Sequence, residues 1–313
     1  MTPLVSILIP CHNAARWLGA TLESALAQTW SHREIIVVDD GSSDHSLAIA
    51  RSFEPRGVLV ITQRNAGAAA ARNAACNVSQ GDWLQYLDAD DLIAPDKISQ
   101  QLSLPAAALT GEFILSANWT RFTKTTANAD FTTQPLCADF DPVAFATIKL
   151  EHHVMMHPAA WLVPRALATR AGPWDETLSL DDDGEYFTRL VLLSRGVRHS
   201  PSAVSFYRSQ VAGSLSGAKS DRAWTSAFRS LELTATRLRA LDDSTAVRRA
   251  CGTAFQRYIY EAYPFASDCR ARAATQLATL GGSTLQPEGG PKFQLARRFL
   301  GWRLAKRLLL ALR

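Results

Sequence analysis

The 313-residue sequence predicts an α/β protein with a mainly parallel sheet, helices on both of its faces, and a C-terminal helical region. Three observations lead to this prediction. Short β-rich runs alternate with helical stretches in the first half, which is the pattern of βαβ units. The β-rich runs are almost continuously apolar, as in strands that helices cover on both faces. Beyond residue 219 only helical patterns remain.

The first half contains four predicted strands that alternate with helices. Each strand is a run of β-branched and other apolar residues that ends at turn-forming residues. Parallel strands require crossover connections, and the intervening helices are expected to supply them with right-handed topology. The predicted strands are residues 5–9, 34–38, 58–62 and 82–87. The predicted helices are residues 14–28, 44–53, 67–80 and 95–104.

The second half is less regular. A strand is predicted over residues 113–118, and a Thr- and Asn-rich surface loop over 123–135. Residues 152–165 have a β-like pattern, and apolar residues at helical spacing predict a helix over 185–194. Residues 204–207 are the last predicted strand.

The chain divides into three predicted regions. Residues 1–115 and 116–218 are expected to be two halves of one α/β domain, and 219–313 a helical region. Its tail, residues 291–313, has seven Lys and Arg and no acid, whereas the formal net charge of the whole chain is only +4. Basicity confined to the tail does not favour nucleic-acid binding by the body. Two interpretations of the tail stay open: contact with an anionic membrane surface, which we favour, and docking on the protein.

The composition also indicates a compartment. Five scattered cysteines without paired spacing indicate a reducing environment and neither a disulfide framework nor a zinc site. No apolar run approaches the ~20 residues of a spanning helix, and the N-terminus is expected to be a strand, not a signal peptide. We therefore expect a cytoplasmic protein, with peripheral contact at the inner face of the cytoplasmic membrane if the tail binds lipid.

Polar clusters follow the predicted strands of the first half. They lie at residues 10–13, 39–44, 65–67 and 88–91. Because ligands bind outside the carboxyl ends of strands in open α/β sheets, these clusters should converge on one crevice. A lone Asp-x-Asp turn would more often be a solvated loop, but four clusters in order favour a site. Its carboxylates suit Mg²⁺ or Mn²⁺, which prefer oxygen ligands.

The residue types suggest how a nucleotide diphosphate would bind. Asp40 can accept a hydrogen bond from a base N–H, and the flat ring of His12 can contact the base. The guanidinium fork of Arg72 is well matched to a diphosphate. A metal ion on Asp90, helped by Asp88, would neutralise a leaving diphosphate.

Taken together, these motifs resemble the successive signatures of family 2 glycosyltransferases, which have the GT-A fold with its Rossmann-like sheet. The matching motifs are residues 5–13, 35–44, 71–74 and 87–91, and the resemblance covers roughly residues 4–215. It implies a nucleotide-diphospho-sugar donor with UDP as the default nucleotide, a Mg²⁺ or Mn²⁺ ion, and inversion at the anomeric carbon. It also implies a saccharide or lipid-linked acceptor in surface glycan assembly.

The resemblance assigns donor binding to the first half and acceptor binding to the second. The implied metal ligands are Asp88 and Asp90, with Asp90 the direct one. The implied donor-binding residues are Pro10, His12, Asn13, Asp40, Arg72, Asp88, Ala89 and Asp90.

The family's catalytic base belongs to a Glu-Asp element just before a helix. Here that element falls on Asp182 and Asp183, and the preceding Trp-Asp-Glu at 174–176 supports the register. We assign the base to Asp183, with Asp182 as the alternative. Inverting transfer needs only one carboxylate within reach of the acceptor hydroxyl. His157 either lines the acceptor side or is a buried structural residue.

Three other functions are less favoured. A sugar-nucleotide nucleotidyltransferase usually has a Gly-rich basic loop after its first strand, and a nicotinamide oxidoreductase has G-x-G-x-x-G there; neither pattern is present. A non-catalytic carbohydrate-binding protein on the same fold would not need Asp88, Asp90 and Asp183 together. Processive synthases carry Gln-x-x-Arg-Trp, but Arg298 stands at the Trp position after Gln294, so we expect transfer of a single sugar.

Overall fold

The computed structural model describes residues 2–127, 129, 131, 134–209 and 220–311. Eight strands are present in this part of the chain: β1 Val5–Cys11, β2 Arg33–Asp40, β3 Val58–Gln63, β4 Trp83–Tyr86, β5 Leu92–Ile93, β6 Ile114–Phe122, β7 Trp161–Pro164 and β8 Val197–Arg208. They form a single sheet in the order β3-β2-β1-β4-β7-β6-β8-β5.

Helices connect and follow these strands. In the α/β part they are α1 Leu18–Leu26, α2 Ser46–Ser52, α3 Ala68–Val78, α4 Lys97–Leu102, α5 Pro142–His152, α6 Arg165–Ala171 and α7 Asp182–Leu193. In the C-terminal region they are α8 Asp221–Leu241, α9 Thr245–Ala262, α10 Ser267–Thr279 and α11 Pro291–Ala311.

The pairing of the first four strands confirms the predicted parallel arrangement. β1 lies between β2 and β4, β3 lies outside β2, and all three pairings are parallel. Beyond β4 the sheet is mixed: β7 runs antiparallel to both β4 and β6, while β6 and β8 are parallel. The carboxyl ends of β1, β2 and β4 therefore share one edge, which is where the first, second and fourth polar clusters begin.

Helices cover both faces of the sheet, as predicted. Successive residues of β1 enter different cores: Leu8 packs with Ala71 of α3 and Leu190 of α7, whereas Ile7 packs with Leu22 of α1 and Ile98 of α4. This alternation follows from strand geometry, in which neighbouring side chains point to opposite faces. The near-continuous apolar runs of the strands are explained by these two cores.

A third core joins the C-terminal helices to the α/β part. Phe228 of α8 and Phe255 of α9 cluster with Ala146 and Leu150 of α5 and with Leu192 of α7. The region boundaries at residues 115 and 218 stay predictions, and residues 218–219 lie outside the described residues. No helix in the described residues is long and apolar enough to cross a bilayer.

Several elements differ from the sequence-based predictions, among them β5, which was not predicted, and β8, which begins seven residues before the predicted strand 204–207. The β-like stretch 152–165 contains only the short strand β7, because Pro158 has no N–H to donate to a ladder and starts a 3-10 turn. Helix α5 was not predicted; Asp141 caps it by accepting a hydrogen bond from the Ala144 amide. Of the predicted loop 123–135, residues 128, 130, 132 and 133 lie outside the described residues.

Candidate active site

The loops after β1, β2 and β3 are tied to one another at the carboxyl edge of the sheet. His12 Nδ1 lies 2.8 Å from the Asp40 backbone oxygen, so this nitrogen carries the proton that it donates. The other ring nitrogen, Nε2, can then accept a hydrogen bond from Asn65 Nδ2, which lies 3.2 Å away. Asn13 accepts a hydrogen bond from the Ser43 amide at 2.8 Å. His12 and Asn13, two predicted donor-binding residues, thus line this edge directly after Pro10 and Cys11, which end β1.

Asp40 is almost completely buried, with 2% exposure. Its carboxylate accepts hydrogen bonds from the Ala66 and Gly67 amides, both at 2.8 Å, and from Gln63 Nε2 at 2.7 Å. Gly67 is the N-cap of α3, where free amides and the helix dipole favour a negative charge. The contacts therefore give Asp40 a clear structural role in holding the β3–α3 loop.

Arg72 on α3 is the central cation of the site. It is 5% exposed and donates hydrogen bonds from Nη2 to Asp88 Oδ1 and from Nη1 to Asp182 Oδ2, each at 2.8 Å. Its guanidinium also lies over the Trp174 ring, 4.4 Å from the centroid. Arg72 was expected to contact a diphosphate, but both terminal nitrogens are already bound to carboxylates that the fold places around it. The contact with a diphosphate stays a prediction, and a donor at this position would meet a guanidinium that already binds two carboxylates.

Asn73, the next residue of α3, fixes the segment that leads to α7. Its side chain accepts a hydrogen bond from the Trp174 amide at 2.8 Å and donates one to the Trp174 carbonyl at 3.0 Å. The Trp174 ring in turn stacks on Tyr186 of α7, with centroids 4.1 Å apart. The Arg72-Asn73 pair thus connects the first half of the sheet domain to the second.

The acidic turn after β4 concentrates negative charge. The side chain of Asp88 is 26% exposed. The Ala89 carbonyl accepts a hydrogen bond from Thr21 Oγ1 at 2.9 Å, which holds the turn in place. Burial, together with the carboxylates of Asp91 and Asp88, raises the pKa of Asp90 to about 7. In the described residues the Asp90 carboxylate forms no ion pair. The turn therefore gathers three carboxyl groups, and that of Asp90 has no cationic partner in the described residues.

His157 is completely buried and lies between Asp91 and Ser205. Its Nδ1 is 3.0 Å from Asp91 Oδ2, and its Nε2 is 2.9 Å from Ser205 Oγ. Burial lowers the pKa of His157 to about 3, so the imidazole is neutral. Of the two interpretations left open by the sequence, the geometry favours the structural one, because a ring with 0% exposure does not reach an acceptor surface.

The second acidic cluster forms the start of α7. Asp182 is buried and paired with Arg72, whereas Asp183 is partly exposed and accepts only the hydrogen bond from the adjacent Gly184 amide, at 2.9 Å. Burial, together with the carboxylates of Asp182 and Asp181, raises the pKa of Asp183 to about 7. Of the two carboxylates Asp182 and Asp183, only Asp182 is bound by a cationic side chain in the described residues.

Arg208, which the sequence reasoning missed, completes the site. It ends β8, donates its amide to Asp91 Oδ1 at 2.7 Å, and donates Nε to the Asp90 carbonyl at 2.8 Å. Its guanidinium lies 4.0 Å from the Trp17 ring centroid. The available signal was a charged residue at the end of a predicted strand, the same signal that identified the other clusters.

Comparison with known proteins identifies the first third of the chain. Residues 6–107 match the family model described as Glycosyl transferase family 2. The chain carries a family 2 glycosyltransferase domain. This domain contains β1 to β4, the acidic turn and Arg72, whereas Asp182 and Asp183 lie outside the matched residues.

Two curated relatives match the family 2 domain. An uncharacterised glycosyltransferase of Haemophilus influenzae is 41% identical over 104 residues, which is 32% of this chain and 42% of the relative. A UDP-Glc:alpha-D-GlcNAc-diphosphoundecaprenol beta-1,3-glucosyltransferase of Escherichia coli is 36% identical over 102 residues, 32% of this chain and 40% of the relative. The chain thus spans about two fifths of the length of these relatives.

Solved structures share the fold of the family 2 domain and of the regions that follow it. Staphylococcus aureus TarS 1–349 in complex with UDP-GlcNAc has a TM-score of 0.59 at 16% identity, over 88% of this chain and 90% of that chain. The mannosyltransferase PcManGT of Pyrobaculum calidifontis, in complex with GDP-Man and Mn²⁺, has a TM-score of 0.57 at 18% identity, over 100% of this chain and 81% of that chain. These likenesses show the GT-A type α/β fold that the sequence predicted.

Proposed function

We propose that this protein is an inverting, metal-dependent glycosyltransferase that moves one sugar from a nucleotide-diphospho-sugar to an acceptor hydroxyl. The family 2 domain supports the enzyme class. The observation that carries the proposal is the double contact of Arg72 with Asp88 and Asp182. This contact brings the acidic turn and the acidic start of α7 together, which supports the proposal that donor and acceptor meet between them.

Asp88 and Asp90 fit a divalent cation. Mg²⁺ is usually bound by one or two carboxylates together with substrate phosphates, so a complete protein cage is not needed. The described residues contain no group of three or more acidic, His or Cys side chains that could hold a metal ion by themselves. In the proposal, the donor phosphates supply the remaining ligands. The raised pKa of Asp90 supports the assignment, since clustered carboxylates are stabilised by a cation. A bound Mg²⁺ or Mn²⁺ would neutralise charge on the departing diphosphate.

Asp183 is the proposed base. Inverting transfer requires one carboxylate that takes the proton from the acceptor hydroxyl as this hydroxyl attacks the anomeric carbon. Asp183 is partly exposed and has no cationic partner in the described residues, while Asp182 is held by Arg72. In this proposal, the Arg72–Asp182 pair orients the start of α7 and so places Asp183.

The donor is proposed to lie along the carboxyl edge of β1, β2 and β4. His12, Asn13 and Asp40 line the nucleotide end, next to Pro10, and Ala89 lies within the metal turn. Arg208, the cation beside the Asp90 carbonyl, takes the diphosphate role that Arg72 was expected to have. UDP is the proposed nucleotide, supported by the UDP-sugars in the names of the Escherichia coli relative and the TarS complex.

The acceptor is proposed to be a saccharide or a lipid-linked saccharide. The Escherichia coli relative is named for a diphosphoundecaprenol-linked acceptor, and a Rhizobium meliloti relative is named a succinoglycan biosynthesis protein. A role in surface glycan assembly follows as part of the proposal, with a peripheral location at the inner face of the cytoplasmic membrane.

Titration of UDP in the presence and absence of Mn²⁺ tests the proposal. We expect the wild-type protein to bind UDP more tightly with Mn²⁺, and Asp90→Ala to lose this dependence. Asp268→Ala, which removes an exposed carboxylate on α10, is the matched control. A screen of nucleotide-sugar hydrolysis across UDP, dTDP and GDP donors then identifies the nucleotide. Metal-independent binding that is equal in all three proteins would contradict the metal site.

A further inference from the structure

Helix α11 is attached to the protein by one of its faces. Trp302 packs edge-on against Tyr260 and Tyr263, with centroid distances of 5.0 and 5.2 Å. Ala305 is completely buried, and Lys306 Nζ donates hydrogen bonds to the carbonyls of Tyr260 and Glu261. The docking interpretation of the tail is therefore correct for this face.

Helix α11, which Gly301 interrupts, also exposes large apolar side chains. Five of the eleven large apolar side chains that are exposed in the described residues belong to this one helix. Such concentration is unusual, because exposed apolar residues are normally scattered singly over a protein surface. They are Leu295 at 61% exposure, Phe299 at 80%, Leu300 at 46%, Leu304 at 56% and Leu308 at 47%.

Exposed cations flank these apolar side chains. Leu295 and Phe299 are one helical turn apart, and Lys292 and Arg298 each lie three residues from Leu295. After the interruption at Gly301, where φ is 70°, Arg307 lies three residues from Leu304, and its guanidinium is 5.5 Å from the centroid of the Tyr263 ring. Arg303 directly precedes Leu304. From residue 289 to 311 there is no acidic residue, and these four cations form no ion pair in the described part of the chain.

We infer that α11 lies on the surface of an anionic phospholipid membrane, with its exposed Leu and Phe side chains inserted among the acyl chains. Amphipathic helices with aromatic and Leu residues on one side and Lys or Arg alongside bind at this interface. Long basic side chains reach the headgroups while their stems lie along apolar surface. The face turned away from the lipid is the one that Trp302, Ala305 and Lys306 attach to the protein.

Charge favours lipid over a second copy of this chain. In a symmetric dimer the same patch meets itself, so the four unpaired cations of each copy would face those of the other. An anionic bilayer instead supplies the missing opposite charge, at about 1 kcal/mol for each Lys or Arg near the surface. The inferred membrane binding does not depend on the proposed function. Only its purpose, which would be access to a lipid-linked acceptor, rests on that function.

Vesicle flotation of the full-length protein tests the inference independently of transfer activity. We expect binding to vesicles of phosphatidylglycerol and phosphatidylcholine, and little binding to phosphatidylcholine alone or at high salt. Leu295→Ser with Phe299→Ser should remove most of the binding. Leu59→Ser with Leu241→Ser, which changes two exposed leucines elsewhere, at 48% and 57% exposure, should bind as the wild type does.

A charge series separates electrostatic from apolar binding. Lys292→Gln and Arg298→Gln should each weaken binding to anionic vesicles about fivefold at low salt, whereas Arg51→Gln on α2 should have no effect. Unchanged UDP affinity in every variant shows that the cleft is still folded. Flotation that is equal for both lipid mixtures and for all variants overturns the inference. So does a concentration-dependent dimer in light scattering that does not bind vesicles.

Discussion

Arg72 and Asp182, 110 positions apart in the chain, form a buried ion pair with an Nη1–Oδ2 distance of 2.8 Å. The same guanidinium binds Asp88, one of the two proposed metal ligands. A cation on the donor side would compete with Arg72 for the Asp88 carboxylate. The charge around the proposed base therefore depends on what is bound at the acidic turn, and the following predictions test the parts of this arrangement.

Replacement of Arg72 should destabilise the fold strongly. Arg72→Met leaves the Asp182 carboxylate buried without its cation, and removal of one partner of a buried pair costs about 3–5 kcal/mol. Because Asp88 is partly exposed, we expect the lower end of this range. Urea unfolding measures the change, with Arg249→Met, which breaks the exposed pair with Glu151, as the control. Equal effects of the two variants would show that the Arg72 pair contributes little.

Asp183→Asn should abolish transfer while UDP affinity stays nearly unchanged. Loss of a general base lowers turnover by about 10²–10⁴-fold, whereas the donor-side loops are untouched. Asp181→Asn is the matched control: Asp181 is exposed, and Asn tolerates its left-handed φ of 64°. Wild-type turnover in Asp183→Asn would mean that another residue, with Asp182 the first candidate, is the base.

The pH dependence of transfer provides a separate test of the base. The groups around Asp183 are the carboxylates of Asp182, Asp181 and Asp88 and the guanidinium of Arg72, and with burial their net effect is a pKa of about 7. A base works only when it is ionised, so kcat/KM should rise about tenfold per pH unit below pH 7 and level off above it. A profile already level near the ordinary carboxyl value of 3.8 would contradict the assignment.

Lys97 should make stability pH-dependent. Its ammonium is completely buried, donates hydrogen bonds to Gln85 and to the Trp161 carbonyl, and has its pKa lowered well below 10.5 by burial. Between these two pKa values the unfolded chain binds more protons, so the free energy of unfolding should rise with pH, by up to about 1.4 kcal/mol per unit. Lys97→Met should lose this slope, and Lys124→Met at the surface should keep it. Identical slopes in all three proteins would mean that Lys97 stays charged.

His157 should contribute to stability through its hydrogen bond to Asp91. His157→Ala leaves one buried oxygen of Asp91 without a partner, at a cost of about 1–3 kcal/mol in addition to the lost packing. His157→Asn places an amide near the position of Nδ1, and it can hydrogen-bond the carboxyl group in either protonation state. Thermal or urea unfolding should therefore rank wild type above Asn and Asn above Ala. Equal stability of the two variants would indicate that packing alone matters at this position.

The first four strands were predictable because each is an apolar run that ends at turn-forming residues. Their parallel pairing followed from the intervening helices, and the ends of the observed strands lie within two residues of the predicted ends. Helix α5 was missed although Asp141 and Pro142 are a readable N-terminal signal. Phe145, Ala146 and Leu150 are its only fully buried residues, so its periodic pattern is weak.

The contacts within the site were less predictable than its location. Strand ends indicate which residues share an edge, but they do not give the direction of a helical side chain. The sequence could therefore predict that Arg72 lies near the acidic turn. It could not predict the hydrogen bond to Asp182, because this depends on the segment around Trp174, which Asn73 holds in place. Likewise, the strand-like surroundings of His157 gave no sign of Asp91, which lies 66 positions away in the chain.

The buried hydrogen bonds that link Asp91, His157 and Ser205 bear on how the protein responds to a change in pH. Burial lowers the pKa of the imidazole to about 3, so the ring stays neutral at the pH of living cells, whereas burial raises the pKa of the Asp91 carboxyl group well above 3.8. The strand that carries Arg208 is thus joined to the acidic turn partly through a ring that keeps its charge. If Asp183 is the base, as proposed, a fall in pH below 7 stops proton removal from the acceptor hydroxyl, while His157 takes up no proton.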